Sequence, residues 1–152
     1  MEELTRLLGN ERLLLEHLVF RMVELRALLV AGESRFLPWA AHEVDGATAR
    51  LRDAELRRAL LVHRIAAEGG VDDSTLSLRM LARTAPTPYA AIFAEQHLAF
   101  RALTSELRRY VADCSVLAGD GATRVSEVLG CVAEADVACR RSRRFVPQVV
   151  KS

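Results

Sequence analysis

Apolar residues recur along this chain at alternating three- and four-residue steps in three long stretches. The first ladder runs Leu4, Leu8, Glu11, Leu15, Leu18, Met22, Leu25, Leu29. The second runs Leu37, Ala40, Val44, Ala47, Leu51, Ala54, Arg58, Leu61, Ile65, and the third Tyr89, Phe93, Gln96, Phe100, Leu103, Leu107, Tyr110, Cys114, Leu117. Steps averaging 3.5 residues set every member of a ladder on one helical stripe, as in the seam of a coiled coil. The pattern predicts an all-α, elongated antiparallel bundle of three long helices, with a short connecting helix and a weaker C-terminal helix.

The breakers set the boundaries. A first helix is expected from about Glu2 to Ala31, fraying at Gly9-Asn10 and ended by Gly32 at its C-cap. A second follows at once, with Ser34 as N-cap and Pro38 in the first turn, and stops at Gly69-Gly70. Pro38 disfavours helical geometry at Leu37, so the helix can also start there. The short link forces an antiparallel hairpin. Residues 71–87 read as irregular, with capping residues Asp72, Asp73 and Ser74 and a short helix around Leu76, Leu78, Met80 and Leu81 closed by Pro86 and Pro88. The third long helix is expected from about Pro88 to Ala118, interrupted at Gly119-Asp120-Gly121. Residues 122–143 then carry Val125, Val128, Leu129, Val132 and Ala135 on one face, weakened by Gly130. The expected domain is a single bundle over 1–144, followed by a flexible tail over 145–152.

Each ladder has one polar member: Glu11, Arg58 and Gln96. Such residues set helix register, snorkel from bundle ends, or form a buried polar network; the first two are the ordinary outcomes. Composition adds that half the residues are hydrophobic and only 5% aromatic, which suits a Leu, Val and Ala core. The net charge is +1, but it is unevenly spread. Residues 140–152 hold Arg140, Arg141, Arg143, Arg144 and Lys151 and no acid, while the other 139 residues hold 16 basic and 20 acidic side chains. The basic cluster offsets a helix dipole or meets an acidic partner. As a nucleic-acid grip it lacks interleaved aromatics.

Chemistry is sparse. Cys114, Cys131 and Cys139 match no zinc or redox spacing and read as reduced, packed thiols. The residues three before His17, His42, His63 and His97 are Leu14, Trp39, Leu60 and Ala94, so the paired Glu-x-x-His signature of a di-metal bundle is absent. These histidines read as partly exposed flank positions. No phosphate loop, dinucleotide fingerprint, nucleophile elbow or metalloprotease motif occurs. No cofactor is expected, nor an enzyme. No apolar run approaches the ~20 residues of a membrane span, and the charged start has no signal-peptide character, so a cytoplasmic protein is expected.

The layout resembles the FlgN-like family of flagellar type III export chaperones. The resemblance is carried by HLVFRMVELRALLVAGE at residues 17–33, AELRRALLVHRIAAEGG at 54–70, a short Leu-spaced segment with proline, and YVADCSVLAGDG at 110–121. It covers about residues 2–140; Cys114 stands where the family carries a late Asn. The resemblance implies a cytosolic, non-enzymatic chaperone that binds the C-terminal helices of hook–filament junction proteins. It would keep them unassembled and deliver them to the export machinery. The client-binding positions it implies are Cys114, Leu117, Val125, Val128, Leu129 and Val132, with Arg140 and Arg141 as the adjoining basic contact. For segment 122–139 two readings stay open, a fourth helix packed on the bundle and a detachable helix that pairs with a partner. The rivals to the chaperone reading are a dimerising coiled-coil adaptor, which would make the chain a homo-oligomer, and a helical enzyme or ligand-binding bundle.

Overall fold

The structure, a computed structural model, describes residues 1–70 and 76–119. The described residues are all-α. Helix α1 spans Glu2–Ala31, α2 Leu37–Gly69, α3 Leu78–Thr84 and α4 Tyr89–Ala118, with a single 3-10 turn at Ser34–Phe36. The three long ladders therefore became α1, α2 and α4. The expected fourth helix, the tail and the capping residues Asp72, Asp73 and Ser74 lie outside the described residues.

The glycine stops act as expected. Gly32 takes φ 69° and its N–H reaches the carbonyls of Leu28 and Leu29, and Gly70 closes α2 in the same left-handed way at φ 63°. A side chain is strained at such φ, which is why glycine serves there. Three local expectations are corrected. The helix does not fray at Gly9-Asn10: Leu8 and Glu11 on either side are both buried, and their packing outweighs weak propensity. Ser34 does not cap α2. The Phe36 N–H bonds back to the Glu33 carbonyl at 3.1 Å, which ties Ser34 into the 3-10 turn, and α2 starts at Leu37 with no side-chain cap. The cap of the short helix is Ser77, whose Oγ accepts from the Met80 N–H at 3.2 Å.

Ion pairs fix the helix directions. Arg64 on α2 reaches Glu3, Arg58 reaches Glu11, and Glu43 meets Arg21, so residue numbers fall along α2 as they rise along α1. On α4, Glu95 meets Arg12 and Asp113 meets Arg26, so α4 runs parallel to α1. Helix α1 is the shared element: α2 and α4 both pack along it, α3 packs on α4, and α2 and α4 hardly approach each other at the backbone. The bundle is thus built on α1 and is not an evenly closed triangle.

The core follows the ladders. Seven of the eight members of the first ladder are buried, all but Leu29. One apolar cluster holds Leu15, Leu18, Met22, Leu25, Val44, Leu51, Leu107 and Cys114 among others. A second, at the α3 end, holds Leu4, Leu8, Leu61, Leu81 and Phe93. The polar ladder members separate the two clusters. Glu11 lies between Leu8 and Leu15, Arg58 between Leu51 and Leu61, and Gln96 between Phe93 and Leu107. The Arg12–Glu95 pair, one residue from Glu11 and one from Gln96, sets these positions at one level.

Candidate functional site

Two features depart from a plain apolar bundle: the polar layer inside it and the apolar residues left outside it. In the layer, Arg58 Nε donates to Glu11 Oε2 at 2.6 Å, with the two side chains 17% and 4% exposed. Of the readings open for the polar ladder members, the structure bears out pairing in mid-bundle for these two, not snorkelling from a bundle end. Gln96 Oε1 is buried without a hydrogen-bond partner. Glu55, one turn before Arg58, is also buried. Burial pushes its carboxyl up from about 4.5 to about 7; the Glu11 carboxylate adds to the shift, and Arg58 and Arg52 oppose it. Burial likewise raises Glu11, opposed by Arg58.

The sign of the resulting pH dependence follows from the raised carboxyl. Folded Glu55 holds a proton that the unfolded chain has already lost between pH 4.5 and 7. Its contribution to stability is therefore present at low pH and is lost as pH rises through about 7. Glu55→Gln should stabilise the protein at pH 8 by about 2 kcal/mol, and should leave a flatter dependence between pH 5 and 8. Urea unfolding of both proteins at the two pH values checks this.

Among the described residues, no three His, Cys, Asp or Glu side chains group so as to hold a metal ion. His42 and His63 are exposed and His17 and His97 half-buried, which are the flank positions expected of them. No described helix is long and apolar enough to cross a membrane.

The implied client-binding residues divide. Cys114 is fully buried in the main cluster, so its thiol is core and not surface. Burial pushes that thiol up to about 11, with Asp113 adding to the effect, and leaves it unreactive at neutral pH. Its assignment to the binding surface is corrected: the third ladder faces α1 at this point. One turn on, Leu117 is 43% exposed and its neighbour Val116 is 82% exposed. Val125, Val128, Leu129, Val132, Arg140 and Arg141 lie outside the described residues, as do Cys131 and Cys139.

Exposed apolar residues gather at the end where α4 stops. Besides Val116 and Leu117, this end carries Val30 near the close of α1 and Trp39 near the start of α2, 62% and 71% exposed. Phe36 and Trp39 pack ring against ring there at 5.8 Å. A further set lies on α1 itself: Leu13, Phe20, Val23, Ala27 and Val30 are all exposed. With Glu16 they form a second ladder, 13, 16, 20, 23, 27, 30, on the face opposite the first. Its spacing was legible in the sequence. It was missed because one complete ladder already accounted for the helix.

This leaves a helical scaffold with a buried polar layer at one level, and apolar surface along α1 and at the α4 terminus. No protein-family model, no curated protein and no solved structure matches the chain.

Proposed function

We propose that this chain is a helical export chaperone of the FlgN-like kind. It acts in the cytosol, binds the C-terminal helices of hook–filament junction proteins, holds them unassembled and hands them to the type III export machinery. The observation that carries the reading is the way α4 ends. Its ladder is core at Cys114 and already exposed at Leu117, and the apolar spacing continues in sequence through Val125, Val128, Leu129 and Val132. A client helix with an apolar stripe would otherwise self-associate, and pairing with these positions suppresses that. The order of the helices, two long antiparallel helices, a short connecting helix and a third long helix, is also the one the resemblance implies.

Calorimetric titration of the full chain with the C-terminal helical peptide of a hook–filament junction protein tests the proposal. Saturable binding is expected, weakened at least tenfold by Leu129→Asp and unaffected by Leu60→Asp on the exposed face of α2. A tenfold loss is about 1.4 kcal/mol, the scale of one misplaced apolar contact. Absence of binding, or equal loss from both variants, would count against it.

A further inference from the structure

We infer that the outer face of α1 is the seam of a homodimer, in which a second copy of this chain lays its own α1 antiparallel along it about a two-fold axis. The inference stands on α1 and does not depend on the chaperone reading.

The first observation is that the face is apolar and open. Leu13, Phe20, Val23 and Val30 are 65%, 53%, 38% and 62% exposed, and Ala27 is exposed between them. Arg21 turns to Glu43 on α2, while Arg12 and Arg26 turn to Glu95 and Asp113 on α4. Both neighbours therefore lie toward the inner side of α1, and among the described residues nothing covers the outer row. Five apolar side chains in one row amount to about 400 Å² of surface, the size at which an exposed patch marks a contact.

The second observation is symmetry. Between Leu13, Glu16, Phe20, Val23, Ala27 and Val30 the steps are three, four, three, four and three, which read the same from either end. A two-fold interface has to be complementary to itself. Reversed about the point between Arg21 and Met22, the row meets itself layer by layer. Leu13 falls against the partner's Val30, Glu16 against the partner's Ala27, and Phe20 against the partner's Val23. The two layers with Phe20 and Val23 lie at the centre. The one acid falls opposite the smallest member of the row, which leaves it room to keep Arg12, its ion-pair partner at 3.0 Å.

The third observation is charge, which sets the direction. A parallel pairing in register places Glu16 on the partner's Glu16. The antiparallel pairing puts eleven residues between them, about 16 Å at 1.5 Å per residue. On the edge of the row toward α2 it also brings His17 beside the partner's Glu24, and by symmetry Glu24 beside the partner's His17. Both side chains stay half-exposed in the single chain, so they are free to meet a partner's at the rim. With these rims the contact comes to about 1,200 Å² in total, the lower limit for a specific interface, which corresponds to association in the micromolar range.

Sedimentation equilibrium of the full chain and a pairwise cross-link test the inference. The chain should run as a monomer well below micromolar concentration and at twice its mass well above it. Phe20→Asp, at the centre of the seam, should weaken association at least about tenfold, and Leu60→Asp on the exposed face of α2 should leave it unchanged. Val23→Asp repeats the test from the other member of the central layer, should Phe20→Asp lose helical circular dichroism. For register, Leu13→Cys and Val30→Cys are made separately in chains that also carry Cys131→Ser and Cys139→Ser; Cys114 is buried in the core. Mixed and mildly oxidised, the two variants should link to each other, because these positions face across the seam within disulfide reach. Either variant alone should not link, since its two thiols lie seventeen residues apart along the seam, about 26 Å. A monomer at every concentration would overturn the inference, as would a dimer that both seam variants leave intact. Linking of Leu13→Cys alone at the rate of the mixture would overturn the antiparallel seam.

Discussion

Arg58→Ala should cost the fold about 3–5 kcal/mol, seen as a fall in the urea midpoint at pH 8. The size follows from what the substitution leaves behind. Glu11 is 4% exposed on its side chain, and the Arg58 guanidinium is its hydrogen-bond partner at 2.6 Å. Glu55, also buried, is near enough to raise the cost of a second charge. Without Arg58 the layer keeps two carboxyl groups and loses the cation that holds Glu11 ionised. The loss should be smaller at pH 5, where protonation removes the uncompensated charge. Replacing both partners, Glu11→Leu with Arg58→Met, should recover most of the stability, since an apolar pair needs no counter-charge. A double variant as unstable as Arg58→Ala would show that the two residues do more than neutralise each other.

Phe93→Ala should cost about as much, 3–5 kcal/mol by the usual cost of removing a buried aromatic ring. Phe93 is fully buried where Leu4, Leu8, Leu61 and Leu81 converge, so it joins α1, α2 and α3 to α4. Tyr89, one turn earlier, stacks on it with ring centroids 6.4 Å apart, but is itself only half-buried and does not close the gap. Thermal unfolding compared with Leu60→Ala gives the contrast. Leu60 is 62% exposed, and its truncation should change stability by less than about 0.5 kcal/mol.

These two residues show how the sequence maps onto the structure. The ladders located α1, α2 and α4 to within a residue or so because helical spacing and glycine stops are local signals. Phe93 and Arg58 were legible as ladder members for the same reason. The meeting of Glu11 and Arg58 across two helices was not, because it depends on how far each helix slides along the other. That offset is set by the Ser34–Phe36 turn, where the sequence pointed to a simple Ser34 cap. The burial of Cys114 and the exposure of Leu117, one turn apart on the same ladder, escaped for a related reason. A ladder averages about 3.5 residues per turn and a straight helix about 3.6, so the covered line drifts: from Cys114 it passes to Ala118, half-buried against the main cluster, and leaves Leu117 exposed beside it.

The outer seam of α1 carries the opposite lesson. Leu13, Phe20, Val23, Ala27 and Val30 obey the same spacing rule as the inner ladder, and a helix with two such faces is short of a neighbour. For the apolar residues of 122–139 the sequence leaves two readings open, a fourth helix packed on the bundle and a detachable helix that pairs with a partner.

Hydrogen exchange of the full chain, with and without excess C-terminal peptide from a hook–filament junction protein, tests the proposed function most directly. Chaperone action predicts slower exchange through residues 122–132 when the peptide is present, with the amides of α2 unchanged. Exchange through 122–132 that stays the same with the peptide in excess would contradict it.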